Sequence, residues 1–506
     1  MVLDATRGLP GTSGATAPYP AIRMVEIATP CGRLVGVMGE LDGRAVNAFR
    51  GIPYAHATRF APPVRVTSWS ETQLATSYGP AAPQPIGGPL DGLVPGSFRG
   101  PTDEAACLTC NVFAPARARS ERRPVLVWFP GGAFTTGAAS QPVYDGRRLC
   151  SEQDVVVVTC NYRLGALGFL DARAAGGVAN CGLRDAIAAL EWVRENIWAF
   201  GGDPERVTVF GESAGGGLVL HLCASPAAAG LFRSAIVQSG ATFNTLDDTR
   251  AVVVRDALLA ALNLDDAGAL AGVPVDELVA AQADAARSVL ATIGMMPFHP
   301  MVDGEVLSAP PADALAAGSF AGHTLVVGTT TDEMRLFLDT TGEPPARERL
   351  GKRVARYLDV DPAGADAVID GYADLLGTTD THEIWATLFS DVEMQLPAAT
   401  MRDAHQPHGR IYSYLFEWRA ANAALGACHG IDIPFTFGNF GDGWDEFVGA
   451  DRAAEALSHS IREAWADLAR RGDPGWPAAP ATMRFGRHPA VVEDPVADRL
   501  ALLPGA

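Results

Sequence analysis

The stretch Gly211-Glu212-Ser213-Ala214-Gly215 follows the apolar run Val207-Thr208-Val209-Phe210. It constrains the chain more than any other stretch, because a strand that ends in Gly-x-Ser-x-Gly and continues into a helix must turn sharply. The small flanking residues permit the turn, and the turn lifts the serine hydroxyl clear of the sheet edge. The next backbone N–H, on Ala214, then stands at a helix N-terminus and faces any negative charge that forms there. In a chain with 54 glycines such a pentapeptide also arises by chance, so the weight falls on its context.

That context is an alternation of strands and helices. Val125-Leu126-Val127-Trp128-Phe129 is a continuous apolar run, the pattern of a central strand buried on both faces, and it leads straight into Pro130-Gly131-Gly132-Ala133-Phe134. Val155–Val158, Ala235–Val237, Leu325–Val327 and Ile411–Phe416 read as further strands. Leu183, Ile187, Leu190, Val193 and Ile197 fall at helical spacing and predict a helix across the sheet. Residues 24–63 alternate apolar and turn residues as a small antiparallel sheet does. The Ala-rich amphipathic segments 248–290 and 345–405 read as helical insertions, and Pro85 to Gly100 as a Gly/Pro-rich loop. Alternating elements of this kind predict an α/β fold with a mostly parallel sheet and right-handed crossovers.

Length alone allows two or three domains in 506 residues, but no linker is long or polar enough to divide them. One domain is expected over 25–506, after a partly disordered lead-in over 1–24 rich in Gly, Ala, Thr and Pro. No apolar run approaches the roughly 18 residues of a membrane span, and the N-terminus lacks the basic start and apolar core of a signal peptide. Net charge is −19, and Lys352 is the single lysine. No basic stripe appears, which argues against nucleic acid or an anionic membrane as partner.

The eight cysteines are scattered. Cys107-Leu-Thr-Cys110 has metal or redox spacing, but no second pair or nearby histidine completes it, so two half-buried cysteines at a strand start are expected. Free thiols fit a reducing, cytoplasmic compartment. No metal or organic cofactor is expected, and neither monomer nor homodimer is favoured.

A serine hydroxyl is a weak nucleophile without a base in hydrogen-bond reach. A histidine must take its proton, and a carboxylate must hold that imidazole in the right tautomer. With an elbow of this type the chain order is Ser, then acid, then His. Among the ten histidines, His405 and His408 sit in a polar turn, and His221 lies on the elbow helix pointing into packing. His429, in Gly426-Ala427-Cys428-His429-Gly430-Ile431-Asp432, occupies a glycine-flanked loop after the late strand, where it can reach the sheet edge. As general base it should titrate at ~6–7. Glu333 and its rival Asp332 both follow the strand Leu325–Val327. On the residues alone either is the candidate acid, and an ordinary solvated loop acid is the alternative for each. The small residues Gly131-Gly132-Ala133 let backbone N–H groups approach a substrate oxygen closely.

Further stretches add specificity: Phe49-Arg50-Gly51-Ile52-Pro53-Tyr54-Ala55, Arg59-Phe60-Ala61-Pro62-Pro63, Asn161-Tyr162-Arg163-Leu164-Gly165, Asn180-Cys181-Gly182-Leu183-Arg184-Asp185, Trp192-Val193-Arg194-Glu195-Asn196-Ile197 and Phe200-Gly201-Gly202-Asp203-Pro204. In this order, together with Gly211 to Gly216, they resemble the type-B carboxylesterases, a family that includes cholinesterases and bacterial para-nitrobenzyl esterases. The resemblance runs from about residue 25 to the C-terminus. It implies an α/β-hydrolase fold with its active site in a gorge, and hydrolysis of small-molecule carboxylic esters through an acyl-enzyme. It implies a triad of Ser213, Glu333 and His429, deciding for Glu333 over Asp332. The oxyanion hole it implies is the N–H groups of Gly132, Ala133 and Ala214, with Ser239 as a buried serine supporting the triad. Amide or carbamate cleavage at the same triad is an alternative. A non-catalytic binding role, which the family also contains, usually goes with loss of a triad residue.

The chain departs from the family pattern in places. Pro130 stands where His or Tyr is usual, Ala133 replaces a third glycine, and Met334 replaces the glycine after the acid, a change that bears on the loop's course. Ala82 stands where the family has the disulfide partner of Cys107. The loop from 82 to 107 contains no tryptophan to stack on a choline cation, which speaks against a choline ester as substrate.

Overall fold

A computed structural model describes residues 23–87, 91–241, 244–339 and 342–504. The expected lead-in lies outside the described residues as far as 22, and Arg23 and Met24 already open the first strand. Twelve strands follow one another across a single sheet: β1 (Arg23–Thr29), β2 (Gly32–Leu41), β3 (Arg44–Pro53), β4 (Thr109–Pro115), β5 (Arg123–Phe129), β6 (Val156–Cys160), β7 (Gly202–Glu212), β8 (Ser234–Gln238), β9 (Thr324–Thr330), β10 (Arg410–Phe416), β11 (Ala481–Phe485) and β12 (Ala490–Glu493). The spatial order is β1-β2-β3-β4-β6-β5-β7-β8-β9-β10-β11-β12, and the short strand Gln73–Leu74 beside β2 makes it 13-stranded. Every pairing from β6 to β11 is parallel, while β1 to β4 and β12 are antiparallel wings. The antiparallel sheet expected over 24–63 is therefore not a separate one. It is hydrogen-bonded through β4 into the parallel core.

The apolar runs follow from burial on both faces. Val125, Val127 and Phe129 of β5 pack on one side, with Leu183, Ile187, Leu190 and Val193 of helix α1 (Cys181–Asn196) and Leu218 and Leu222 of helix α2 (Ala214–Ala224). Leu126 and Trp128 pack on the other side, because successive strand side chains point to opposite faces. Trp128 meets Phe210 at 4.8 Å and Phe437 at 5.0 Å between ring centroids. Each such buried side chain contributes about 1.5–3 kcal/mol.

The insertions are helical as expected: α3 (Asp248–Ala261), α4 (Val275–Val289), α5 (Arg347–Leu358), α6 (Pro362–Leu376), α7 (Thr381–Ser390) and α8 (Leu396–His405). A short π-helix, Asp391–Gln395, joins α7 to α8. The last four helices share a third apolar cluster with Leu350, Ile369, Trp385 and Leu388 at its centre.

Two of the sequence motifs now have a mechanical role. Arg163 and Asp185, both buried, form a bidentate pair at 2.7 and 2.6 Å, and Arg163 also donates to the carbonyls of Thr58 and Ala61. Asn180 clamps both backbone groups of Met301.

Two expectations need correction. Cys107 and Cys110 are fully buried rather than half-buried, and all eight cysteines are free. His405 is not in a polar turn; it ends α8 fully buried, because the helix tucks its last turn under His323, whose carbonyl lies 3.2 Å from His405 Nε2. Among the described residues no helix is long and apolar enough to cross a membrane.

Candidate active site

Parallel neighbours bring their carboxyl ends to one edge. Glu212 of β7 pairs with Gln238 of β8, Gln238 with Gly328 of β9, and Gly328 with Tyr414 of β10. Ser213, Ser239, the turn carrying Glu333 and the loop carrying His429 therefore all leave the sheet on the same side, where open α/β sheets bind ligands.

Ser213 has φ 56° and ψ −126°. This conformation costs a non-glycine residue ~1–3 kcal/mol and persists only when its surroundings fix it. Here the Ser213 N–H donates to the Gln238 carbonyl at 2.9 Å, and the Ser213 carbonyl accepts the first helical bond of α2 from Gly217 at 2.8 Å. A Cβ on Gly215 would lie 2.1 Å from the Phe129 carbonyl oxygen, and one on Gly211 would lie 2.4 Å from the Gly215 carbonyl carbon. The motif needs glycine at both positions for want of space.

Glu333 opens a 3₁₀ turn (Glu333–Phe337) just past β9. Its Oε1 accepts from the Thr330 N–H at 2.7 Å, and its Oε2 lies 2.7 Å from His429 Nδ1. The His429 N–H also donates to the Glu333 carbonyl at 3.2 Å. Asp332 faces elsewhere. Its carboxylate accepts from the Ala427 N–H and from Arg335, both at 2.9 Å, and so holds the histidine loop rather than the imidazole.

The second imidazole nitrogen, Nε2, lies 3.3 Å from Glu212 Oε1. Ser213 Oγ makes no hydrogen bond to His429 in this arrangement; catalytic contacts of this kind often tighten only when substrate binds. Glu212 is a member of the site that sequence reasoning missed. A second is Asp432, which accepts from Gln238 at 2.8 Å and from the Tyr414 hydroxyl at 3.2 Å. Both carboxyls are buried. Their positions held a signal: one is an acid inside the elbow, the other lies three residues beyond the histidine. Burial raises the Glu212 pKa and pushes Asp432 up to about 6. For His429, burial alone would lower the pKa, but Glu212, Glu333 and Asp432 outweigh it and the net shift is upward. The direction is therefore above the ordinary imidazole value expected from the sequence.

Gly132, Ala133 and Phe134 have φ of 117°, 53° and 58°. The Gly132 carbonyl is engaged within its own turn by the N–H groups of Thr135 and Thr136 at 3.0 and 2.9 Å. Among the described residues, the N–H groups of Gly132, Ala133 and Ala214 donate to no protein acceptor. The loop abuts the elbow closely: a Cβ on Gly131 would sit 3.1 Å from Ser213 Cβ. Pro130 lends its carbonyl instead of an N–H, accepting from the Tyr162 hydroxyl at 2.7 Å.

Met334 is buried, and its N–H donates to Ser390 Oγ at 3.0 Å. Ser239 is buried with φ 44°, its N–H donates to the Gly328 carbonyl at 2.8 Å, and its hydroxyl bonds neither Glu333 nor His429. His221 is buried as expected, bridging the Gly217 carbonyl and Thr245. Among the described residues no cluster of three His, Cys, Asp or Glu stands ready for a metal ion.

Comparison with known proteins gives this geometry a family. The carboxylesterase family profile matches residues 23–486. A para-nitrobenzyl esterase of Bacillus subtilis is 37% identical over 468 residues, which span 89% of this chain and 92% of that protein. Among solved structures, a thermophilic para-nitrobenzyl esterase superposes with a TM-score of 0.82 at 33% identity, covering 94% of this chain and 99% of that one. A Geobacillus stearothermophilus carboxylesterase gives 0.81 at 32% identity with the same coverage. With its parallel sheet, nucleophile elbow and carboxylate-bound histidine at the strand edge, this chain belongs to the carboxylesterase family and is a serine hydrolase of carboxylic esters with the α/β-hydrolase fold.

Proposed function

We propose that Ser213 is the nucleophile, His429 the general base and Glu333 the acid that orients the imidazole. The observation that carries this is the 2.7 Å contact between Glu333 Oε2 and His429 Nδ1 at the same sheet edge as the strained Ser213 turn. Ser213 Oγ attacks the ester carbonyl carbon as its proton passes to His429 Nε2. The carbonyl oxygen takes the negative charge and is met by the N–H groups of Gly132, Ala133 and Ala214, each donor worth ~3 kcal/mol in the transition state. The bond to the alcohol oxygen then breaks, and His429 returns its proton to the leaving alcohol. Water, deprotonated by His429, attacks the acyl-enzyme, and the acid leaves with Ser213 restored. Ser239, whose hydroxyl bonds neither Glu333 nor His429, takes no step in this scheme.

The substrate proposed is a small-molecule ester, cleaved by one catalytic unit spanning 25–506. Eight unpaired thiols support a reducing, cytoplasmic location. An organophosphonate is expected to label Ser213 alone, and Ser213→Ala to abolish both labelling and hydrolysis. Undiminished turnover of a para-nitrophenyl ester by that variant would refute the assignment. Glu333→Gln should cost several orders of magnitude in kcat, by analogy with other triads, and Asp332→Asn much less. The reverse ranking would make Asp332 the acid. A matched ester and amide, compared by rate, separates ester from amide cleavage, with the ester expected to be faster.

A further inference from the structure

The helix that runs through α7 and α8 is interrupted by one π turn, Asp391–Gln395, closed by a bond from the Leu396 N–H to the Asp391 carbonyl. Pro397 lies just beyond it. A proline inside a helix removes one donor, and its ring collides with the carbonyl four residues back; a widened turn upstream relieves that collision. The turn changes which side chains share a face. Residues five apart on an α-helix stand about 140° apart. With one residue absorbed by the π turn, Ser390 and Gln395 stand like an i,i+4 pair, about 40° apart.

Both side chains reach the segment that carries Glu333. Ser390 Oγ accepts from the Met334 N–H at 3.0 Å, directly after the acid. Gln395 Oε1 accepts from Thr329 Oγ1 at 2.7 Å, and Gln395 Nε2 donates to the Thr330 carbonyl at 2.9 Å, at the end of β9 three residues before it. Thr330 is the residue whose N–H holds Glu333 Oε1. All five of these residues and Glu333 are buried, with Glu333 and Ser390 fully so. The π turn is itself anchored from behind: Asp391 accepts from the Tyr372 hydroxyl at 2.9 Å and pairs with Arg499 near the C-terminus at 3.0 Å.

The geometry points to Gln395 and Ser390 as positioning residues of the ester-cleaving reaction: the π turn presents them as two jaws that fix the backbone before and after Glu333, at Thr330 and at Met334, and so aim its carboxylate at His429. Neither touches substrate. The inference rests on Glu333 being the triad acid. Without the jaws the turn still forms, but the carboxylate is no longer held in line with Nδ1, and the imidazolium formed in each chemical step loses part of its stabilisation.

The test is the set Gln395→Met, Thr329→Val, Ser390→Ala and Ser390→Thr, each normalised to active sites titrated with an organophosphonate, with Glu333→Gln assayed alongside. Gln395→Met keeps the volume and removes both hydrogen bonds. It is expected to lower kcat by the ~10–100-fold that loss of an outer hydrogen-bonding shell costs elsewhere, with KM unchanged. The midpoint of the rise in kcat/KM with pH should also move to lower pH, since a misaligned Glu333 supports the imidazolium less. Thr329→Val and Ser390→Ala should move the same readouts in the same direction, and Ser390→Thr, which keeps the acceptor, should restore wild-type values. If Gln395→Met does not fold, the other two substitutions carry the test. A lowered melting temperature with kcat per titrated site and pH profile unmoved would overturn the inference, since that is all a packing role predicts. Retained activity in Glu333→Gln would overturn the assignment of the acid itself. An inactive Glu333→Gln beside an unmoved Gln395→Met, Thr329→Val and Ser390→Ala would overturn only the role of the helix.

Discussion

Three carboxyl groups surround His429 in a buried setting: Glu333 on Nδ1, Glu212 beside Nε2, and Asp432 three residues on. The imidazole must be neutral to accept the serine proton. Because the net shift of its pKa is upward, the neutral form appears only at higher pH than for a free imidazole. The acid limb of kcat/KM is therefore expected to rise through an apparent pKa above the ~6.5 of an unperturbed histidine. Glu212→Gln removes the charge nearest Nε2 and should move that midpoint to lower pH; a midpoint at or above the wild-type value would show that Glu212 does not set it. The positions proposed for nucleophile, acid and base were legible as candidates because each follows a strand or a glycine-flanked loop in the required order. The choice of Glu333 over Asp332 was not legible from spacing. Adjacent residues leave a turn in different directions, and the resemblance, then the Ala427 contact of Asp332, separated them. Glu212 was hidden for a related reason: the middle position of the elbow reads as a spacer until the fold shows its side chain aimed at the histidine.

At the scale of elements, central strands announced themselves as unbroken apolar runs because both of their faces are covered. The antiparallel wing was legible as strands, but its attachment through β4 was not, since pairing is set by partners far away in the chain. The π turn left a single trace, Pro397. The loop Gly131-Gly132-Ala133 shows what local chemistry can and cannot foretell. Small residues predicted close approach to the elbow, whereas the direction of the Gly132 carbonyl needed the turn itself. That carbonyl is held inside its own turn by Thr135 and Thr136, which is expected to leave room beside the turn for a bulky alcohol group. Measurable hydrolysis of a tertiary-alkyl acetate is expected, with short to medium acyl chains turned over faster than long ones. Ala133 has φ 53°, a conformation glycine adopts without strain. Ala133→Gly keeps the N–H, removes a methyl group, and should keep or raise the tertiary activity. The idea fails if a primary-alkyl acetate is cleaved well while neither wild type nor Ala133→Gly cleaves the tertiary ester.

At the scale of the whole molecule, stability is unevenly spread, and the absent disulfide marks where. Ala82 and Cys107 are both buried against the main core, yet no bond joins them. A crosslink closing a loop of this size would remove ~3–4 kcal/mol of chain entropy from the unfolded state. Without it the segment between relies on local ties. Gln84 holds the base through two bonds to Gly137, at 3.0 and 2.8 Å. Above that base the described part, residues 91–100, contains neither helix nor strand. It has a bond from Gln141 to the Gly96 carbonyl at 2.8 Å and an Arg99–Asp91 ion pair at 2.6 Å. An ion pair with so exposed an arginine adds at most about 1 kcal/mol. Opening here gives up the half-buried Val94 but no fully buried apolar side chain, whereas opening β5 or β7 gives up the core. The amides of 91–100 are therefore expected to exchange at free energies well below the global value, and proteolysis to nick this segment before any strand of the parallel core. Because Gln84 grips Gly137 below the opening, the turn carrying the proposed oxyanion donors is expected to stay in place, and because every thiol is already free, reducing agent should leave activity unchanged. Protection of 91–100 equal to that of β5, or inactivation by a reductant, would mean that something other than these few bonds holds the loop.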